Sequence, residues 1–107
     1  MTQIATVYAV FVNVEEAERI GRAMIERELA ACVNILAPCR SVYRWQGSVE
    51  TAEEVPALFK VRAESIDALI AAIASMHSYE VPAITAWPIV QAGPGYAEWV
   101  VSGQALG

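Results

Sequence analysis

No apolar run in this 107-residue chain reaches the ~20 residues that a membrane-spanning helix needs. Basic residues are scarce: seven Lys and Arg stand against twelve Asp and Glu, a formal charge of −5. Phosphate binding needs a cationic face, so nucleic acid is excluded as a partner class. There are one histidine and two cysteines. Cys32 and Cys39 lack the spacing of a zinc knuckle or a redox pair. Seven positions apart in a strand-like segment, they fall on opposite faces of a regular strand, an alternation that Pro38 could shift, and are expected unpaired. The six glycines form no phosphate-cradling loop. The start, Met1-Thr2-Gln3-Ile4, carries no basic region, and no small-residue cleavage site follows the apolar residues 7–12. The expectation is a soluble, cytoplasmic protein. Repeats and linkers are missing too, which leaves residues 1–107 as a single domain.

What the chain has in abundance is apolar character, 56% of its residues against a usual ~45–50%. A chain this short buries only roughly 65% of its unfolded surface. The surplus is therefore expected in contact between proteins.

Residues 4–12 are apolar on both alternating faces, with Ile4, Tyr8, Val10 and Val12 on one and Ala5, Val7, Ala9 and Phe11 on the other. That pattern predicts a central strand buried on both sides. Asn13 offers an N-cap, and Glu15, Glu16 and Glu18 suit the positive end of a helix dipole. The helix is expected to reach about Leu29 and to bury Ala17, Ile20, Gly21, Met24 and Ile25. A second strand should run from Ala31 to about Gln46, interrupted at Pro38. After a turn at Gly47-Ser48, its partner occupies about residues 49–62. There Val55, Ala57, Phe59 and Val61 face one way, and Leu58, Lys60 and Arg62 the other. Ile66, Leu69, Ile70, Ile73 and Met76 repeat at helical spacing, ending near His77-Ser78. A fourth strand over about residues 83–90, a turn at Gly93-Pro94-Gly95 and a short helix bearing Tyr96, Trp99 and Val100 complete the chain.

The order β-α-β-β-α-β with a C-terminal helix is the α+β, ferredoxin-like pattern. Its first and third strands are central, and Pro38 and Pro88 fall in the edge strands, where a missing N–H is tolerated. Pro56 implies that the early third strand projects beyond the sheet. Two helices cover one sheet face and leave the other bare, with Tyr43 and Trp45 at the end of a long hairpin. Self-association is the economical cover.

Five segments, in order and spacing, resemble the divalent-cation tolerance (CutA) family. They are Ala30-Ala31-Cys32-Val33-Asn34-Ile35, Ser41-Val42-Tyr43-Arg44-Trp45-Gln46-Gly47, His77-Ser78-Tyr79-Glu80-Val81-Pro82, Trp87-Pro88-Ile89 and Tyr96-Ala97-Glu98-Trp99. The resemblance implies a homotrimer of ferredoxin-like subunits, related in architecture to PII signalling proteins. It also implies a part in divalent-metal tolerance, copper especially. Metal proposals in that family use the motif histidine, here His77, sometimes a histidine before it and a cysteine near the end of the first strand. Met76 and Phe11 occupy those two positions, and Ser78 and Ala83 depart from the family's usual His-Pro-Tyr-Glu-Val-Pro-Glu motif.

His77 is accordingly the candidate ligand for copper or another divalent cation, held weakly, with no cofactor required. A structural hydrogen bond at a helix end is the competing role. Cys32 is expected as a small buried hydrophobe, Met76 as part of the helix stripe, and Glu50, Glu53 and Glu54 as solvated charge. Trp45, Lys60, His77, Tyr79, Glu80 and Glu98 are the expected walls of a cleft between subunits, and Tyr43 and Trp45 the trimer contact. The function expected is a binding scaffold in metal homeostasis rather than an enzyme. The alternatives are a PII-like sensor of a small anion or nucleotide and an enzyme using Cys39 or the region of His77 and Glu80.

Overall fold

The computed structural model describes residues 3–106, with side chains through residue 102. Its elements are β1 (Ile4–Phe11), α1 (Val14–Glu26), β2 (Cys32–Ile35), β3 (Cys39–Trp45), β4 (Ser48–Arg62), α2 (Ile66–Met76), β5 (Ile84–Pro88) and α3 (Tyr96–Leu106). A single 3-10 turn at Ala63–Ser65 leads into α2. The strands form an antiparallel sheet in the order β2-β4-β1-β5, and β3 continues beside β4. Counting β2 and β3 as one interrupted strand, this is the split βαβ order expected from the sequence, with β1 and β4 central.

The alternation of β1 and β4 builds the core. Val7 faces Phe59, Ala9 faces Ala57 and Phe11 faces Val55, and all six side chains are buried under the helices. From α1, Ala17, Ile20 and Met24 pack onto them, and from α2, Leu69 and Ile73. Gly21 lets α1 approach the sheet, because a Cβ there would stand 3.1 Å from Val33 Cγ1. The helix stops sooner than its apolar stripe suggests. Glu28 takes a left-handed φ of 59°, so that Glu28 N–H donates to Ile25 O and Leu29 N–H to Met24 O. Those two bonds are a Schellman closure.

The opposite sheet face is drier than expected. The last helix, α3, lies across one end of it and buries Val100 against Ile4 and Ala31. Along β1, Ile4, Thr6 and Val10 are buried within the chain itself and Tyr8 is half-buried. Large apolar side chains are instead exposed on the hairpin and along the chain around β5. Val42 and Val49 are each 65% exposed and Trp45 54%. Val81, Trp87 and Val90 are exposed as well.

Pro38 and Pro56 meet at the break between β2 and β3. Ile35 pairs with Ala57 and Cys39 with Glu54, so residues 36–38 oppose residues 55 and 56. This is a one-residue bulge. The carbonyl of Pro56 accepts Leu36 N–H, and its ring nitrogen lies on the same strand edge, toward the bulge, where the ladder is already broken. Beyond it, residues 48–54 of β4 pair with β3 and not with β1, which is the projection that Pro56 implied. The hairpin closes at Gln46 and Gly47, both at positive φ, as a two-residue type I′ turn requires.

The bulge also overturns one expectation. A register shift of one residue exchanges the faces of a strand. Cys32 stands opposite Lys60 and Cys39 opposite Glu54, positions of equal parity on β4, so the two cysteines share a face. They remain unpaired, because six residues of extended chain separate their partners by about 20 Å.

Candidate functional site

The densest polar cluster lies where the end of β1, the start of α1 and the segment after α2 converge. Asn13 caps α1, its Oδ1 accepting Glu16 N–H at 2.8 Å. Glu16, three residues on, completes a variant of the capping box. Its Oε1 accepts Val12 N–H at 3.1 Å and its Oε2 accepts Ser78 N–H at 2.9 Å. Burial acts to raise the carboxyl's pKa, but the bonds from Ser78 and Val12 together outweigh it and hold the group below the ordinary glutamate value.

His77 follows the last residue of α2 and turns inward. Its ring stacks on Phe11 with centroids 5.2 Å apart and meets the Tyr79 ring at 4.8 Å. Nδ1 accepts Tyr79 N–H at 3.0 Å. Nε2 must therefore carry the proton of the neutral ring, and it donates to Val10 O at 2.7 Å. Glu16 Oε1 stands 4.0 Å from Nε2. The structural hydrogen bond weighed for this histidine is thus present, and it is doubled.

Tyr79 extends the cluster outward. Its hydroxyl donates to Glu54 Oε2 at 2.7 Å. Burial and this carboxylate push the phenol well above its usual value. Glu54, expected as solvated charge, is therefore a half-buried acceptor. A second cluster surrounds Lys60, six residues farther along β4 from Glu54. Lys60 Nζ donates to Asn34 Oδ1 at 2.8 Å, and Cys32 Sγ lies 3.8 Å from the Tyr96 hydroxyl. Burial, with the Cys32 contact second, pushes that hydroxyl up to about 12.

Of the six residues expected to line a cleft, one subunit brings His77 and Tyr79 together. Trp45 sits beside the hairpin turn, on the same face as Tyr43 and exposed with it. Lys60 lies across the sheet from His77's side, and Glu80 and Glu98 are exposed. Glu16 and Glu54 are the residues that sequence reasoning missed. For Glu16 the Asn13-x-x-Glu16 spacing was a usable signal. For Glu54, 25 positions from its partner, there was none.

The described residues of the chain do not fit a metal centre. Among the described residues no three His, Cys, Asp or Glu side chains converge. Both nitrogens of His77 are engaged, so an ion there would displace a buried hydrogen bond.

This geometry and strand order can be set beside known proteins. The model of the CutA1 divalent ion tolerance protein family matches residues 5–103. The chain belongs to that family. It is 37% identical over 94 residues to the divalent-cation tolerance protein CutA of Archaeoglobus fulgidus, covering 88% of this chain and 91% of the relative. The Protein CutA homolog of Xenopus laevis is 37% identical over 97 residues, 91% of this chain and 64% of its own length. The chain spans half of the mouse Protein CutA, to which it is 39% identical over 82% of this chain. Among solved structures, CutA from Xylella fastidiosa superposes with a TM-score of 0.92 at 30% identity, covering 95% of this chain and 98% of that one. The Archaeoglobus fulgidus structure, described as a periplasmic protein, gives 0.91 at 35%, with 94% and 98% covered. No described helix here is long and apolar enough to cross a membrane.

Two expected outcomes follow from the cluster. Glu16→Gln keeps the volume but leaves one of the two backbone N–H groups without an acceptor, a loss of about 1–3 kcal/mol near neutral pH. Because the folded carboxyl titrates below its unfolded value, its contribution is present above the unfolded value and is lost as pH falls through the folded one. Urea unfolding of both proteins should therefore show the gap closing in acid; a constant gap contradicts this account of Glu16. For His77, calorimetric titration of Cu²⁺ should find no tight site that His77→Ala removes. One tight ion per subunit, lost in that variant, would contradict the assignment of both ring nitrogens.

Proposed function

We propose that the chain acts as a homotrimeric, PII-like binding scaffold in divalent-ion tolerance, copper included, rather than as a catalyst. The observation that carries this reading is the hairpin beyond the bulge. Residues 42–51 are all exposed, with Val42 and Val49 on one side and Tyr43 and Trp45 on the other. Fully burying each such side chain is worth ~1.5–3 kcal/mol, and a second and third copy offer matching surface. The cleft residues Trp45, Lys60, Glu80 and Glu98 then meet His77 and Tyr79 between copies. A metal ion is bound weakly there, with ligands drawn from more than one subunit. His77 is a poor general base because its acceptor nitrogen already holds Tyr79 N–H, which supports the non-enzymatic reading. The cytoplasm suits two unpaired thiols, although the Archaeoglobus fulgidus relative is described as periplasmic.

One observation favours a second reading, a sensor of a small anion or nucleotide. Half-buried Lys60 meets the neutral oxygen of Asn34 rather than a carboxylate. A thermal-shift screen separates the two readings: a nucleotide or anion that raises the melting temperature favours the sensor.

If folding and association are linked, the melting temperature rises with protein concentration. Trp45→Asp, which places a charge on the contact, lowers it far more than Glu53→Ala, which removes an already exposed charge. A melting temperature independent of concentration, with the two variants alike, would remove the scaffold reading.

A further inference from the structure

The hairpin is joined to the body in an unusual way. Pairing with β1 ends at Val55, and among the described residues β3 pairs with β4 and no other strand. The joint itself carries a bulge and two prolines, so its ladder is thinned where stiffness would be needed. Among the described residues, one side-chain hydrogen bond crosses this joint, from the Tyr79 hydroxyl to Glu54 Oε2 at 2.7 Å. Its acceptor is a carboxylate, which makes it one of the stronger kinds. Its donor stands on a fixed post. Tyr79 N–H is held by His77 Nδ1, His77 Nε2–H by Val10 O, and Ser78 N–H by Glu16.

We propose that the Tyr79–Glu54 hydrogen bond is a strap that sets the cant of the β3–β4 hairpin against the body, making both residues positioning residues for the Tyr43 and Trp45 surface. The inference deepens the scaffold reading, since a hairpin held at one angle presents its contact surface preorganised and loses less freedom on association. Nothing in the strap requires the second copy; it is complete within one subunit.

Tyr79→Phe deletes the donor and keeps the ring beside His77. Glu54→Ala deletes the acceptor, and Glu54→Gln retains an oxygen to accept the hydroxyl. Two readouts apply. The first is the spin-label distance between Ser48→Cys at the hairpin tip and exposed Arg22→Cys on α1. It is measured in the 107-residue chain carrying Cys32→Ser and Cys39→Ser, diluted into unlabelled protein. The second is the concentration at which the assembly dissociates. In Tyr79→Phe and Glu54→Ala the distance distribution should broaden, with the dissociation midpoint rising at least about tenfold, the scale of one hydrogen bond to a charged group. Glu54→Gln should resemble the parent in both. If Glu54→Ala fails to fold, the contrast of Tyr79→Phe with Glu54→Gln decides. A wild-type monomer would sink the scaffold reading and leave the distance readout to judge the strap. Tyr79→Phe with an unchanged distance distribution overturns it, whether or not the midpoint moves.

Discussion

An antiparallel sheet of this kind has two faces to cover, and the chain supplies helix for one of them and for an end of the other. The paired strands β1 and β4 carry apolar side chains on both alternations, so neither face can be left to water without cost. Helices α1 and α2 close over Val7, Phe11 and Phe59. On the second face α3 reaches Ile4 and Ala31, while Leu58 and Tyr8 stay half-buried and Trp87 is 45% exposed. Most of what one subunit leaves uncovered lies on or beside that second face and on the hairpin that extends it.

The register break makes the hairpin a separate surface. One extra residue at positions 36–38 changes which side chains share a face, and among the described residues β3 has β4 as its one strand partner. A projecting two-stranded ribbon is marginal alone, and its exposed edges invite pairing. Tyr79, reaching Glu54, ties this ribbon to the polar cluster of Glu16 and His77. The cluster's chemistry is therefore that of a support. Its donors and acceptors are satisfied internally, and the imidazole most open to a metal reading is occupied at both nitrogens.

Much of this was legible beforehand, because periodicity and proline placement report directly on faces and edges. The double-sided pattern of residues 4–12, the split alternation of residues 55–62 and the stripe from Ile66 to Met76 all took the predicted form. Pro56 correctly implied a projecting strand. The failures share one cause, that contacts between distant positions leave no local pattern. A bulge moved Cys39 to the face of Cys32 although alternation alone said otherwise. The cover that α3 gives Ile4 depends on where the last helix docks. Glu54 reads as one of three solvated carboxylates until Tyr79 arrives beside it. Glu16 is the instructive middle case, since its spacing from Asn13 announced the cap but not the bond to Ser78.

The central proposal is that one copy of this fold is incomplete and is finished by others. Sedimentation equilibrium on the 107-residue chain, at micromolar concentration and neutral pH, tests it most directly. The account predicts a single folded species at three times the 11.6 kDa chain mass. A well-folded particle at the mass of one chain would contradict it.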